Sequence, residues 1–582
     1  MSTVQDAVVR VLVDLPAVDR PFDYLLPAAS VPAVRVGTIV RVPLQGRRVR
    51  GWVTEIGAPP PPGVVLRPVA SVTGLGPSAE VVELADWAAS RWAGRRVTFL
   101  RAASPDRVVR SVTPLARGRS QAIDGAAPDV MAAFASREGC SAVRWPPTVD
   151  PFPFVAEAVR RGQALVLVPS EAWAISIRTR LRAMGVATVG PDDWAGAAGG
   201  ATVVGGRAAA WAPLPHLAAV VVVDEHDERF QDERAPTWHA RDVAVERARR
   251  AGVPVVLLSP FLRTETQTAV APTVVDRAVE RSGWPVVEVV DRRDLDPRVG
   301  LYPSRIVDLL RSGARVGVVY NRTGRARLLS CTRCAALVCC DRCGATVRSG
   351  GDGALHCARC SASRPASCLG CGASRLAVRR PGVAHIRDDV AALTGEAVVE
   401  LTASSNPPRG DERLFVGTEA LLHRVGSLDA VLFLGIDEDL LAPVVGASEA
   451  VLSLFVLAAR RVGGRSGGGR IVVQTAVPDH EVVQSVLHAD PGRWAEVELA
   501  RRAALGLPPF RSVARVSGPA AAGFIASMVD DDRATDAAAV EVLGPTNGAY
   551  LVRAGDRSAL AAALARGVRT GRVRVEVDPL RF

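Results

Sequence analysis

The sequence predicts a multidomain α/β protein: a small β-rich unit in front, two parallel-sheet units behind it, a cysteine-rich insertion in the second of these, and an α+β tail. Three observations carry the prediction. A chain of 582 residues is too long for one hydrophobic core and suggests about three to five domains. Continuous apolar runs of the kind that form buried parallel strands recur from about residue 141 to 475. Eight of the ten cysteines fall between Cys331 and Cys371 as four Cys-x-x-Cys pairs.

Residues 1–105 read as short strands, VVRVLVDL, RPFDYLLP, GTIVRVPL and RGWVTEI, followed by the Pro-rich loop APPPPG at 58–63 and a helical stretch from Glu80 to Trp92. Residues 106–140 are rich in Arg, Ser and Ala without periodicity, and are expected to be a linker. From 141 to 285 the runs ALVLVPS, ATVVGG, AAVVVVDE and VPVVLLS alternate with helical segments and predict a first α/β lobe. A second lobe is expected at 286–482, from WPVVEVV and RVGVVYN to AVLFLGIDE and RIVVQT, with the cysteine module inserted at about 327–376. Residues 483–582 form the α+β tail, which ends in VRVEVDPLRF.

The pairs are Cys331/Cys334, Cys340/Cys343, Cys357/Cys360 and Cys368/Cys371. Two Cys-x-x-Cys turns complete one tetrahedral S4 zinc site, so four predict two Zn2+ ions. Both would be structural, because four thiolates leave no position for water or substrate. A disulfide framework is the alternative, but such frameworks belong to short secreted chains. Sequence alone leaves open which pairs share an ion.

The 71 basic residues against 60 acidic ones give a formal charge of +11, which favours a polyanionic partner. All 71 are arginine: the chain contains no lysine. Chemistry that needs a lysine ammonium, such as the phosphate-binding lysine of a P-loop, is therefore excluded. No apolar run approaches the ~20 residues of a membrane span and MSTVQDAVVR is no signal peptide, so a cytoplasmic, nucleoid-associated protein without a membrane partner is expected.

The run VVVVDEHDERF at 220–230 ends a buried strand in carboxylates, and ERAPTWHARDVAVERARRAGVPVVLLS follows it at 233–259. Here the chain resembles the bacterial PriA family of primosomal helicases (primosomal protein N′), which carries a DEEH box, a PRYHARDVAVxRA-like stretch and a GSATP-like strand end. The resemblance spans nearly the whole chain. DRPFDYLLP and VGTIVRVPLQGRRVRGWV resemble the family's N-terminal DNA-binding domain, LADWAASRWAGRRVTFLRAASP the helix after it, and LGLPPFRSVARV and VEVDP the C-terminal domain. It implies two RecA-like lobes of superfamily 2 type, with nucleotide between them.

The family's phosphate loop, GVTGSGKT, corresponds to Ser141–Thr148, SAVRWPPT. Its glycines are missing, Pro146 and Pro147 remove two amide donors, and Arg144 offers charge without the loop geometry. The DEEH box is reduced to Asp224, Glu225 and His226. GSATP becomes Leu258-Ser259-Pro260-Phe261, and GTQxLxKGxxF becomes Gly417-Thr418-Glu419 with Leu421 to Arg424. The arginine-finger motif QVAGRAGR becomes LAARRVGGR, with Arg460, Arg461 and Arg465 near the expected positions. These departures lead to the expectation that ATP and Mg2+ are not bound and that the chain is no enzyme, Asp224, Glu225 and His226 being remnants. An atypical ATPase using Asp224 and Glu225 is the alternative.

For DNA, the resemblance carries over Phe22 and Asp23 as the pair at a 3′-end pocket, Gly46 as its glycine and Arg67 in place of a basic lysine. A Phe face stacks a terminal base, Asp accepts from a base edge or 3′-hydroxyl, and Arg meets phosphate. As a purely structural alternative, Phe22 is core and Asp23 belongs to a turn. Arginines 47, 48 and 50 supply a basic hairpin, and the family's winged helix has no room in 106–140. For zinc, the resemblance pairs outer with outer and inner with inner: Cys331, Cys334, Cys368 and Cys371 on one ion, Cys340, Cys343, Cys357 and Cys360 on the other. The expected function is replication restart on forked and single-stranded DNA, with primosome components, single-strand-binding protein and a replicative helicase loader as partners. A zinc-dependent scaffold without specific DNA binding is a further alternative.

Overall fold

The structure is a computed structural model. It describes residues 6–582 apart from 60–62, 116–126, 136–138, 294–300, 322–328, 335, 350–352, 358, 379–382, 407, 409 and 530–539. The expected start of the cysteine insertion, at 327, lies outside the described residues.

The N-terminal unit contains β1 (Ala7–Val13), β2 (Pro21–Leu26), β3 (Ile39–Leu44), β4 (Arg47–Ile56) and β5 (Ser71–Gly74) in one antiparallel sheet of order β2-β1-β4-β3-β5. Alternation along β1 sends Val9, Val11 and Val13 into one core and Leu12 to the opposite face. On that face Leu12, Ile39 and Trp52 pack beneath α1 (Ala79–Arg91) and α2 (Arg96–Ala102). Residues 67–70 tie the two sides of the sheet together. Leu25 N–H donates to the Arg67 carbonyl, the Leu25 carbonyl accepts from Val69 N–H, and Ala70 N–H donates to the Arg41 carbonyl.

The first lobe has α3 (Pro128–Ala133), β6 (Cys140–Arg144), α4 (Phe152–Arg161), β7 (Gln163–Leu167), α5 (Glu171–Ala183), β8 (Thr188–Val189), α6 (Trp194–Ala198), β9 (Thr202–Gly205), β10 (Leu217–Val223), α7 (Ala240–Ala251), β11 (Val255–Ser259), α8 (Thr264–Ala269) and β12 (Pro272–Val274). Its parallel sheet runs β12-β6-β11-β10-β7-β9-β8. Both faces are covered: Val166, Val221 and Val223 pack on one side, Leu165, Val220 and Val222 on the other. That explains unbroken apolar runs where a one-sided strand would alternate. Within the stretch expected to be a linker, α3 packs Val130, Ala133 and Phe134 into this lobe's core, so that part belongs to the lobe.

After α9 (Arg277–Ser282), the second lobe contains β13 (Val286–Asp291), α10 (Ser304–Arg311) and β14 (Val316–Val319). The cysteine module follows with β15 (Leu329–Cys331), β16 (Val347–Ser349), β17 (Ala354–Cys357), β18 (Ser363–Pro365) and β19 (Leu376–Val378). The lobe resumes with α11 (Val383–Thr394), β20 (Val398–Leu401), β21 (Leu414–Gly417), α12 (Glu419–Arg424), β22 (Ala430–Phe433), α13 (Asp437–Leu440), α14 (Ala447–Val462) and β23 (Arg470–Thr475). Its parallel sheet runs β13-β23-β22-β14-β21-β20. Helices α15 (Glu481–Leu487) and α16 (Gly492–Leu505) lead to the last unit: β24 (Ser512–Ser517), α17 (Ala521–Val529), β25 (Glu541–Thr546), β26 (Ala549–Ala554), α18 (Arg557–Arg566) and β27 (Arg574–Val577). The strands of this unit form the sheet β25-β26-β24-β27. Val516, Val552 and Val575 share a hydrophobic cluster with α1 and α2, so the two ends of the chain pack together.

Candidate functional site

Three places in the molecule bring candidate residues together. On the N-terminal sheet, Phe22 and Asp23 are consecutive strand residues and point to opposite faces. Phe22 is half-buried against the inner core with the Arg20 guanidinium 5.1 Å from its ring centre. Asp23 lies on the other face, where Arg10 Nε donates to its Oδ1 at 3.1 Å; Oδ2 makes no hydrogen bond among the described residues. Gly46 forms the β3–β4 turn with Gln45, both at positive φ (76° and 48°), the backbone that a two-residue hairpin requires. It stands seven residues along β4 from Val53, which Phe22 faces through Val11; that is about 23 Å of strand. Arg67 sits in the segment that ties the sheet together, its carbonyl accepting from Leu25 N–H at 3.0 Å. The strands themselves therefore do not gather Phe22, Asp23, Gly46 and Arg67 around one point.

The same sheet shows a feature that sequence reasoning found only in part. Arg41 faces Arg50 directly across the β3–β4 ladder, and Arg48, two residues from Arg50, shares their face. Arg47 is exposed beside the turn. None of these four makes an ion pair among the described residues. Like charges directly opposite one another destabilise a sheet, so the fold carries this ladder at a cost. Arg41 was missed because a single charge within IVRVPL has no meaning until the strand register is known.

Between the lobes lies a cavity of 430 Å³ lined by Asp224, His226, Asn321, Glu419 and Arg460, among others. Asp224 follows β10 directly and adopts a left-handed φ of 57°. Both its oxygens accept from Arg460 of α14, which also donates from Nε to the Pro147 carbonyl at 3.1 Å and stacks 4.9 Å from the Trp173 ring centre. Burial pushes the Asp224 carboxyl up, but Arg460 outweighs it and holds the group below its ordinary value. Glu225 turns away from the cavity: its Oε2 accepts from Arg241 and Thr266 at 3.0 Å, its Oε1 from Arg263 N–H at 2.6 Å. His226 Nδ1 meets Ser259 Oγ at 2.6 Å, and burial holds the ring's pKa below its usual value. The remnant triad is thus split, with Asp224 and His226 on the cavity and Glu225 in the core of lobe 1.

The expected phosphate-loop equivalent needs correcting. Residues 140–144 are strand β6, so only Trp145–Thr148 of Ser141–Thr148 is loop. Trp145 N–H donates to the Ser259 carbonyl, Val149 N–H to the Pro146 carbonyl, and Thr148 Oγ1 to the Gly283 carbonyl. A Cβ on Gly283 would come within 2.4 Å of Pro146, so the loop is packed against the entrance to lobe 2. Arg144 pairs with Glu280 at 2.6 Å and Asp490 at 3.3 Å, which uses its charge elsewhere.

The eight paired cysteines form two clusters. In each, the four sulfurs lie within 4.8 Å of one another, and the groups are Cys331, Cys334, Cys368 and Cys371, then Cys340, Cys343, Cys357 and Cys360. Sulfur–sulfur distances of 3.5 Å (Cys331–Cys371, Cys334–Cys368, Cys340–Cys360, Cys343–Cys357) are far too long for disulfides of about 2.05 Å. They are close to the ~3.8 Å edge of a tetrahedron with 2.3 Å Zn–S bonds, so both clusters could hold zinc. Local sequence explains the shape. In three pairs the residue after the second cysteine is left-handed: Gly344 (71°), Ser361 (58°) and Gly372 (73°). The alanine after it accepts from the first cysteine's N–H, Cys340 to Ala345, Cys357 to Ala362 and Cys368 to Ala373. The module docks on lobe 2 through Arg359, which donates to the Ala442 carbonyl at 3.0 Å, and through Leu337 and Cys339, which pack on that lobe's core.

A family model described as the 3′DNA-binding domain (3′BD) matches residues 10–105. The probable replication restart protein PriA of Mycobacterium tuberculosis (strain CDC 1551 / Oshkosh) is 30% identical over 599 residues, 92% of this chain and 90% of that protein. The PriA of Haemophilus influenzae is 24% identical over 61% of this chain and 53% of its own length. Among solved structures, S. cerevisiae Dbp5 bound to RNA and ADP BeF3 matches 66% of this chain and 98% of its own at 13% identity, TM-score 0.35. The DUF1998 helicase MrfA bound to DNA matches 69% and 56% at 13% identity, TM-score 0.33.

The expectation that the chain is no enzyme is overturned by these findings. The chain aligns along 92% of its own length with the PriA of Mycobacterium tuberculosis, so its changed motifs do not set it outside that family. Physically, changed motif letters do not dismantle the site between the lobes: Asp224 and Arg460 still line the interlobe cavity. With 30% identity across 92% of its own length and 90% of its mycobacterial relative's, the chain belongs to the PriA family of replication restart proteins.

Proposed function

We propose that the chain recognises forked DNA through its N-terminal unit and serves there as an assembly point for replication restart. The arginine ladder of β3 and β4 carries this reading. Arg41, Arg47 and Arg48 are exposed and Arg50 is half-buried over the Trp52 ring, and none of the four has an acidic partner among the described residues. A phosphate backbone is the ligand that rewards such a surface. In this reading Asp23 offers its Oδ2 to a 3′-hydroxyl and Arg67 meets phosphate, while Phe22, packed on the inner core behind Asp23, holds that stretch of β2 in place and Gly46 shapes the hairpin tip. Each four-cysteine cluster holds one Zn2+ that fixes the module's fold, and the module presents a surface to single-stranded DNA, single-strand-binding protein, a helicase loader or other primosome components.

Replacing Arg41, Arg48 and Arg50 by Thr should weaken fork binding and lower the slope of log K against log salt by about 0.9 for each phosphate that is no longer neutralised. Fluorescence anisotropy across a salt series measures this. An unchanged slope would remove the hairpin from the DNA interface.

A further inference from the structure

On the N-terminal sheet, Arg10 of β1 stands directly between Asp23 of β2 and Glu55 of β4. Residues directly opposite one another share a face, so all three side chains lie on the side away from the inner core of Val9, Val11 and Val13. The alignment with Glu55 depends on a β-bulge. Val13, Leu12 and Val11 pair in step with Gly51, Trp52 and Val53, and an unbroken ladder would put Thr54 across from Arg10. The register shifts by one residue at that point, so Thr54 is left over and Glu55 faces Arg10 instead. Thr54 Oγ1 donates to the Arg10 carbonyl at 3.3 Å. Such a bulge re-aims a side chain at the expense of regular pairing.

The guanidinium is divided between the two acids. Its Nε donates to Asp23 Oδ1 at 3.1 Å and its Nη1 to Glu55 Oε2 at 2.8 Å. A guanidinium beside a single carboxylate closes readily on both oxygens through two parallel N–H···O bonds. Here Glu55 draws off the second arm. Asp23 is thereby oriented through one oxygen, and Oδ2 has no hydrogen bond among the described residues. The side chains of Arg10, Asp23 and Glu55 are 38%, 20% and 47% exposed, so these pairs contribute little to stability and Asp23 stays within reach of a ligand.

We propose that Arg10 and Glu55 are positioning residues for selection of a free 3′ end: Glu55 holds Arg10 to one oxygen of Asp23 and so keeps the other open to the O–H of a terminal 3′-hydroxyl. Glu55 acts through Arg10 and not on the DNA. This role rests on the N-terminal unit being the 3′-end-binding surface proposed above, and it names the residues that set the selectivity of that surface.

The test is the ratio of the full chain's affinities for one fork with a free 3′-hydroxyl and the same fork with a 3′-deoxy end, read by fluorescence anisotropy at fixed salt. A ratio cancels any general loss of folded protein. In Glu55→Ala, Arg10 closes on both Asp23 oxygens and the ratio should fall about fivefold, the worth of one hydrogen bond. Glu55→Gln, whose amide oxygen still accepts from Arg10, should keep most of the ratio. Adding Glu55→Ala to Arg10→Ala should change nothing further, because the arm it redirects is gone. Plain electrostatics predicts the opposite sign, since removing an acid from a DNA-facing sheet would tighten both forks alike. That result overturns the proposal, as does an unchanged ratio in Glu55→Ala or an equal loss in Glu55→Gln. A wild type that does not distinguish the two forks overturns instead the 3′-end reading beneath it.

Discussion

Asp224 and Arg460 are 236 positions apart and make a two-pronged ion pair that joins the lobes. Asp224 is almost fully buried, so removing its partner strands a charge in low dielectric: Arg460→Ala should destabilise the lobe junction by about 3–5 kcal/mol, read as a shift in denaturant midpoint, with Asp224→Asn partly restoring the double variant. His239 carries a pH prediction. Burial holds it neutral, far below the usual 6.5, so below that pH the unfolded chain takes up a proton that the folded chain refuses. Stability is therefore full above pH 6.5 and falls as pH drops beneath it. His239→Asn, which keeps a capping oxygen at the start of α7, should flatten that fall in a pH series of melting temperatures. The pairing of Asp224 with Arg460 was not legible in the sequence, because nothing local links a strand end to a helix in another lobe. Asp224, Glu225 and His226 could be named together, but not their division between cavity and core, which depends on Asp224 adopting a left-handed backbone.

The cysteine knuckles show how a local rule makes an element legible. Cys-x-x-Cys spacing sets the sulfur separation, and a left-handed residue after the second cysteine lets the chain fold back. The outer-with-outer grouping is a matter of topology: β15 pairs with β19, bringing Cys331 beside the strand that follows Cys371. Spacing alone left that open. Ser361 occupies the position that glycine takes in two other knuckles, and a side chain there costs about 1 kcal/mol. Ser361→Gly should therefore slow zinc loss to a chelating dye while the stoichiometry stays at two ions per chain. A faster loss, or a stoichiometry of zero, would contradict the knuckle account. The lobe strands were equally legible, because burial on both faces writes itself as unbroken runs of Val and Leu. Helix α3 was not: its six residues are too few to show a period, and only packing against α4 and β6 defines it.

At the scale of the whole molecule, the two chain ends meet, the lobes close on a cavity of 430 Å³, and the cysteine module rides on lobe 2. The order of these units was readable from composition and from the family resemblance. How they join was not, because the junctions rest on contacts between distant segments: the Asp224–Arg460 pair, the apolar cluster shared by the two ends of the chain, and Arg359 on the Ala442 carbonyl. Arg41, Arg48 and Arg50 are informative because they share one strand face without an acidic partner among the described residues, and they lie on the unit matched as a 3′DNA-binding domain. The central claim is that this unit reads a fork through its 3′ end. The direct measurement is the affinity of the full chain for one fork made with a free or a blocked 3′-hydroxyl, alongside Phe22→Ala and Asp23→Ala. The account predicts tighter binding to the free end by the wild type, and loss of that preference in both variants with most of the salt-dependent affinity retained. Equal affinity for the two forks, or a preference that survives both substitutions, would contradict it.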